Sequence, residues 1–353
     1  MTLPAVQSTV HTLGDSTLDN LYWLLEGDGS NLQEAIENST EGQIQEKLGD
    51  QYQVVSHAYD GFTTEDVLGL RLRPVGSVLP SWGIKFQTYI DHKCPGFYRQ
   101  VHPLQQLKKA LPLEGNHYVV ISVGGNDFRE NLSNPFRLIK DISKVQGRYL
   151  EIVEKVQRLS TENRRVYPIL MFQYRTDANH DVYGIYKLFG VVGTVAFAVN
   201  TLCTALIAAP AVHTSSLSKV SKAVCSAIGS FGLYLSNKAV PLSVSRDIIS
   251  LKKPSMSLFG ALLQKFYHPM LAKAREDRIP VLDLPNTFNP YEDLYESGIE
   301  PNANGSKLIA EGIAHIVQNH DFEGTGRIYA KRDENYTSLP ITKGWTVEYP
   351  EQS

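Results

Sequence analysis

The tripeptide Gly14-Asp15-Ser16 stands where an extended segment gives way to a helix-like one. A β-branched run, Val6–Val10, precedes it, and an apolar segment, Leu18–Leu25, follows it. The pattern predicts a strand, a tight turn and a helix, with the Ser16 hydroxyl at the carboxyl end of the strand. α/β folds bind ligands at such positions, where backbone N–H groups also stabilise anions. Ser16 is therefore a candidate nucleophile, and a simple capped turn is the alternative interpretation.

Two more predicted strands end in small polar residues. Gly61 follows the β-rich segment Tyr52–Ser56, and Gly124-Gly125-Asn126-Asp127 follows the buried run His117–Val123. The carboxyl ends of parallel strands share one edge of a sheet, so these residues are expected to converge on Ser16. The backbone N–H groups of Ser16 and Gly61 and the side-chain amide of Asn126 would then form an oxyanion hole for acyl transfer.

Predicted strands alternate with predicted helices along most of the chain. The expected helices are Glu41–Leu48, Leu104–Leu111, Gly147–Leu159, Leu258–Arg278 and Asn304–Gln318, and the further strands are Val166–Tyr174 and Ile279–Leu284. The segments Glu26–Asn38 and Ser77–Gly96 show only polar or irregular patterns. The alternation predicts an α/β fold, a parallel sheet with right-handed crossovers and helices on both faces.

Composition excludes several classes of function. The net charge of −3 and the pI near 6.4 give no basic excess for a nucleic-acid partner. Three widely spaced cysteines, Cys94, Cys203 and Cys225, argue against a disulfide framework or a zinc site. The N-terminus shows no secretory signal pattern, so a cytoplasmic protein is expected. No metal or organic cofactor is implied.

The chain resembles the SGNH (GDSL-type) hydrolases in four blocks that occur in order. They are Gly14-Asp15-Ser16, the segment Asp60–Asp66, Gly124–Asp127, and Gly298–Gly305. The match covers most of residues 6–320 apart from an insert, within an expected hydrolase-like domain of residues 1–320. The resemblance implies a flavodoxin-like three-layer α/β/α sandwich and hydrolysis of esters, thioesters or acetyl groups. It also implies that Ser16 is the nucleophile and that Ser16, Gly61 and Asn126 bind the oxyanion.

The last block departs from the family pattern at the catalytic base. Glu300 stands where the family has its histidine, and Ser297 stands where it has the orienting aspartate. Either the protein is an inactive SGNH-like protein that binds a lipid or protein partner, or Glu300 is the base. A carboxylate has no tautomer to fix, and burial raises the pKa of a glutamate toward that of histidine. His180, flanked by acids after a predicted strand, is a further candidate base.

An apolar insert occupies residues 175–250. Leu188–Ser218 contains no Asp, Glu, Lys or Arg, and Val191–Val212 is 22 residues long, enough to span a bilayer. Its threonines, Asn200 and Pro210 favour instead a helical lid or a membrane-surface segment over residues 188–235. An apolar wall beside an esterase site favours an acyl-lipid substrate. Residues 321–353 are expected to form a polar C-terminal tail.

Overall fold

The computed structural model describes most of the chain outside the apolar insert. The described residues are 8–26, 31–77, 79, 83–94, 100–131, 135–174, 177, 254–289, 292–331 and 345–347. The chain divides into two compact units, one of residues 1–131, 141–180 and 266–353, the other of residues 132–140 and 181–265. All the side chains discussed below belong to the first unit. The insert, His180 and most of the expected tail lie outside the described residues.

A single sheet forms the centre of the first unit. Its strands are β1 Ser8–Gly14, β2 Tyr52–Ala58, β3 Gly115–Ser122, β4 Arg164–Phe172, β5 Val281–Asp283, β6 Ile328–Tyr329 and β7 Thr346–Val347. Their order is β2-β1-β3-β4-β5-β6-β7, in which the first six strands run parallel and β7 pairs antiparallel to β6. The first five positions have the flavodoxin-like order, and the predicted α/β fold is confirmed.

Helices flank this sheet. They are α1 Leu21–Leu24, α2 Leu32–Asn38, α3 Thr40–Leu48, α4 Thr64–Leu68, α5 Ile84–Lys93, α6 Pro103–Ala110, α7 Gly125–Asn131, α8 Pro135–Gln157, α9 Pro254–Glu276 and α10 Ala303–Asn319. Short 3-10 turns occur at Gly49–Gln51 and Leu284–Asn286.

Residues of β3 are buried on both faces of the sheet, as expected for a parallel sheet covered on each side. Tyr118 and Val120 join a core that includes residues of α3 and α10. The alternate residues Val119 and Ile121 are also fully buried and point to the opposite face. There Tyr149 of α8 donates its hydroxyl to the Ile121 carbonyl at 3.2 Å. Because helices cover both faces of the sheet, the candidate site lies at the edge formed by the carboxyl ends of the strands.

Several predicted elements differ from the observed ones. Helix α2 lies within Glu26–Asn38 and helix α5 lies within Ser77–Gly96, two segments expected to be polar or irregular. The predicted helix at Leu18–Leu25 shortens to α1, because residues 15–19 form a turn closed by bonds to the Asp15 carbonyl. The helix expected from Gly147 begins at Pro135. Part of the expected tail joins the sheet as β6 and β7.

Among the residues that the structure describes, no helix is both long and apolar enough to cross a membrane. The apolar run 191–212 lies outside them.

Candidate active site

Backbone hydrogen bonds hold the ends of three central strands together. Gly14 pairs in register with Ala58 of β2 and with Ser122 of β3. Beyond the ladder, the Tyr59 N–H donates to the Gly14 carbonyl at 3.1 Å, and the Asp15 N–H donates to the Ser122 carbonyl at 3.0 Å. A Cβ atom on Gly14, where φ is +155°, would lie 1.7 Å from the Ser122 oxygen, so only glycine fits. The predicted convergence of the three strand ends is therefore present.

Ser16 lies in the turn that follows β1. The Leu18 and Asp19 N–H groups both donate to the Asp15 carbonyl at 3.0 Å, which closes the turn around Ser16. Among the described residues, the Ser16 N–H has no acceptor. The residue is 7% exposed, and its side chain lies close enough to the Glu300 carboxyl group to oppose the rise that burial causes in the pKa of Glu300.

The loop after β2 and the segment after β3 are joined by side-chain contacts. The Asn126 amide donates to the Phe62 carbonyl at 3.2 Å, directly beside Gly61. Asp127 accepts bonds from the Thr64 N–H at 2.8 Å and the Thr64 hydroxyl at 2.6 Å. Gly61 adopts φ 78°, and no described acceptor receives its N–H. The three expected oxyanion donors thus lie on one connected edge.

Glu300 is 2% exposed in a loop that precedes α10. Burial raises the pKa of Glu300 to about 7, while the Ser16 side chain and the positive charge of Arg129 oppose that rise. Ser297, at the position of the family's orienting aspartate, makes no hydrogen bond to Glu300 within the described part of the chain. The structure therefore places Glu300 near Ser16, without a contact between Glu300 and Ser297.

Three further carboxyl groups lie beside this pair. Burial raises the pKa of Asp15 to about 8, and Glu300 contributes to the rise. Asp15 accepts a bond from the Gln173 amide at 2.5 Å. Burial also raises the pKa of Asp60 well above its usual value, with Glu300 and then Asp19 adding to the effect. Glu300 therefore lies among other carboxyl groups in a region that is buried from solvent.

A buried ion pair supports the turn that carries Ser16. Lys93 lies 3.0 Å from Asp19 and 3.2 Å from Glu41. Asp19 also accepts the Tyr89 hydroxyl at 2.6 Å and the Asp60 N–H at 3.1 Å. Sequence reasoning missed Tyr89 and Lys93 because α5 was expected to be irregular. The sequence signal for this helix was the spacing of the apolar residues Phe86, Tyr89 and Ile90, which lie three and four positions apart, on one face of a helix.

Other histidines of the described chain have structural partners and do not take part in this site. His11 and His57 are buried on the sheet, with His11 Nδ1 3.2 Å from His57 Nε2. Burial lowers the pKa of His11 to about 3 and that of His57 to about 4. His315 lies on α10 with its ring against Tyr329. The position of His180, outside the described residues, stays a prediction.

A cavity of about 240 Å³ lies beside the turn formed by residues 18–21, and Glu41, His92 and Lys93 are among its lining residues. Neither Ser16 nor Glu300 lines it. It is therefore distinct from the Ser16–Glu300 site.

No family model and no curated protein matches the chain. Solved structures that are similar to it include a carbohydrate acetylesterase family member from Sinorhizobium meliloti, 13% identical, which covers 88% of this chain and 97% of that one at a TM-score of 0.38. The native aryl esterase of M. smegmatis is 11% identical over 88% of this chain and 98% of that one, with a TM-score of 0.40. A putative arylesterase from Agrobacterium tumefaciens is 15% identical over 88% and 99%, with a TM-score of 0.37. Identities and TM-scores this low define neither a family nor an activity.

Proposed function

We propose that the protein is a serine ester hydrolase of the SGNH type in which Ser16 is the nucleophile and Glu300 is the general base. The observation that carries the proposal is the placement of the buried Glu300 beside the Ser16 turn: the Asn20 amide donates to the Pro301 carbonyl at 2.8 Å, and the Ser16 side chain acts on the pKa of Glu300. A serine beside a base whose pKa lies near neutrality is the arrangement that serine acyl transfer requires.

The reaction follows from this pair in two steps. The Glu300 carboxylate removes the Ser16 proton, Ser16 Oγ attacks the ester carbonyl carbon, and the protonated Glu300 returns the proton to the departing alcohol. In the second step Glu300 removes a proton from water, which attacks the acyl-enzyme, and the proton returns to Ser16 as the carboxylic acid leaves. The N–H groups of Ser16 and Gly61 and the Asn126 amide stabilise the oxyanion in both steps.

Burial supplies the basicity that glutamate ordinarily lacks. With its pKa raised from 4.5 to about 7, Glu300 is as basic as an ordinary histidine. A low pKa of Glu300, or a hydrogen bond from its carboxylate to the backbone, would favour the inactive alternative. The raised pKa and the nearby Ser16 side chain support the hydrolase instead.

The Glu300 carboxylate favours an uncharged ester, because its ionised form would repel an anionic group on the substrate, particularly in a buried site of low dielectric constant. The preference for an acyl-lipid substrate depends on the insert over residues 188–235. It therefore remains a prediction from the sequence.

A fluorophosphonate probe tests the proposal directly, because it forms a covalent bond only with an activated serine. We expect one adduct per chain, and peptide mass spectrometry should place it on Ser16. Uncharged esters should compete with the probe and should be hydrolysed. A folded protein that gains no adduct between about pH 5 and about pH 9 would favour the inactive binding protein.

The rate of Ser16 labelling is expected to rise with pH and to reach half its maximum near pH 7, the pKa of Glu300. The sign follows from the mechanism, because only the ionised carboxylate accepts the serine proton, and that form disappears as the pH falls below the pKa. A pH profile of the labelling rate constant measures this midpoint. A midpoint near the ordinary glutamate value would show that Glu300 is not the titrating base.

Replacing Asn126 with alanine should lower kcat by about 10²–10³-fold, the usual cost of removing one oxyanion donor. KM should change little, because the lost bond strengthens mainly in the transition state. Asn116→Ala, an exposed position at the far end of β3, is the matched control. An Asn126→Ala variant as active as this control would remove Asn126 from the oxyanion hole.

A further inference from the structure

The loop that carries Glu300 is closed by its own backbone. Tyr295 and Pro301 form an antiparallel bridge across it, and the Glu296 N–H donates to the Glu300 carbonyl at 2.8 Å. The Asn302 N–H donates to the Leu294 carbonyl at 3.0 Å. These bonds shape the loop, but none of them reaches the turn that carries Ser16.

The carbonyl groups on either side of Glu300 each accept a bond from a buried side chain of another segment. The Tyr174 hydroxyl donates to the Ile299 carbonyl at 2.8 Å, and the Asn20 amide donates to the Pro301 carbonyl at 2.8 Å. Tyr174 follows β4, and Asn20 lies four positions after Ser16. The residue between the two carbonyls is therefore held from both sides.

Both side chains also belong to the nucleophile turn or contact it. The side chain of Thr17, next to Ser16, lies close enough to the Tyr174 hydroxyl to oppose the rise that burial causes in the pKa of Tyr174. Its ring stacks on Phe288 at 4.2 Å, which fixes the direction of the hydroxyl. Asn20 is fully buried, donates a second bond to the Ser306 hydroxyl at 2.8 Å and accepts the Thr40 N–H at 2.9 Å. Each side chain thus ties the base loop to the segment 16–20.

We infer that Asn20 and Tyr174 are positioning residues that hold the Glu300 carboxylate against the Ser16 hydroxyl. In a serine triad an acid orients the base by bonding to its side chain. Ser297 does not do so here, and a glutamate side chain has three rotatable bonds. Fixing the backbone on both sides of Glu300, relative to Ser16, limits where its carboxylate can lie. This inference rests on the proposed function.

Tyr174→Phe is the sharpest test because it removes the hydroxyl and keeps the ring on Phe288. We expect kcat to fall by about 10- to 100-fold, since a displacement of about 1 Å in a catalytic group has costs of this size. KM should stay within about threefold, because neither side chain is proposed to touch substrate. Tyr149→Phe is the matched control, since Tyr149 is equally buried and donates to a strand carbonyl, that of Ile121.

A double-variant comparison separates positioning from general stability. In a Glu300→Gln background, Tyr174→Phe should cause no further loss, because the group it positions is already absent. Asn20→Asp, which keeps the acceptor for Thr40 and removes both donors, should behave in the same way if it folds. Losses that multiply, or a Tyr174→Phe variant as active as Tyr149→Phe, would overturn the inference.

The inference remains testable if the proposed function fails. Absence of Ser16 labelling in the wild-type chain would refute the hydrolase but would leave the geometry of the loop. The Glu300 carboxyl group can then be followed by infrared spectroscopy, as the band that disappears in Glu300→Gln. This band should titrate near pH 7 in the wild type. In Tyr174→Phe it should titrate at lower pH, because the carboxyl group becomes more accessible to solvent. An unchanged midpoint would overturn the positioning role.

Discussion

Replacing Ser16 with alanine is expected to abolish fluorophosphonate labelling and to lower ester hydrolysis by about 10⁶-fold, the size found when a serine nucleophile is removed. The variant should remain folded, because the hydroxyl is small and alanine suits the turn. Glu300 loses a side-chain interaction that lowers its pKa, so the titration midpoint of Glu300 should rise above about 7.

Ser122→Ala provides the matched control for this prediction. Its hydroxyl is buried at the end of the neighbouring strand and has no hydrogen-bond partner among the described residues. Labelling and hydrolysis should be close to those of the wild type. If Ser16→Ala retained labelling while Ser122→Ala lost it, the nucleophile would be misassigned.

Replacing Glu300 with glutamine is expected to lower kcat by about 10⁴-fold or more, because the amide cannot accept the Ser16 proton. The side chain keeps its size, so binding of an uncharged ester should persist. Labelling that survives in this variant would direct attention to His180 as the base. Glu292→Gln, an exposed glutamate before the same loop, is the control.

The same variant should gain stability at alkaline pH. Because the pKa of Glu300 is raised in the folded state, the native protein binds more protons than the unfolded chain between about pH 4.5 and about pH 7. The free energy of unfolding therefore falls as the pH rises through this window. Above the window the total loss is on the order of 3 kcal/mol. Glutamine carries no charge and avoids that cost.

Thermal unfolding at two pH values measures this effect. The Tm of Glu300→Gln should exceed that of the wild type by several degrees near pH 8 and should be similar to it near pH 5. Asp15 and Asp60 contribute in the same direction, since Glu300 helps to raise the pKa of each. A Tm difference that does not change with pH would show that Glu300 is solvated or paired in the folded state.

The sequence by itself determined the α/β fold and the places where its strands end. Buried runs followed by Gly14, Gly61 and Gly124 are local patterns, because a turn at the end of a strand is encoded within a few residues. Parallel pairing then implies that the strand ends meet at one edge. The ends of β1, β2 and β3 do meet there, whereas Glu300 was placed near Ser16 only by the resemblance of the last block.

The elements missed from the sequence are those whose stability comes from distant partners. Helix α5 is only ten residues long, and its buried residues pack against chain segments such as α1, about sixty positions away. Tyr89 and Lys93 on this helix reach Asp19, three positions after Ser16. A short polar pattern does not reveal such contacts.

Tertiary structure alone decided whether Glu300 has the properties of a base. Its pKa depends on how completely the fold removes water, and on the neighbouring charges of Arg129 and Asp19. The side chains that hold its loop come from distant parts of the chain: Tyr174 is 125 positions from Ile299, and Asn20 is 281 positions from Pro301. Sequence places a carboxylate opposite a serine, but desolvation and long-range hydrogen bonds arise only when the chain has folded around them.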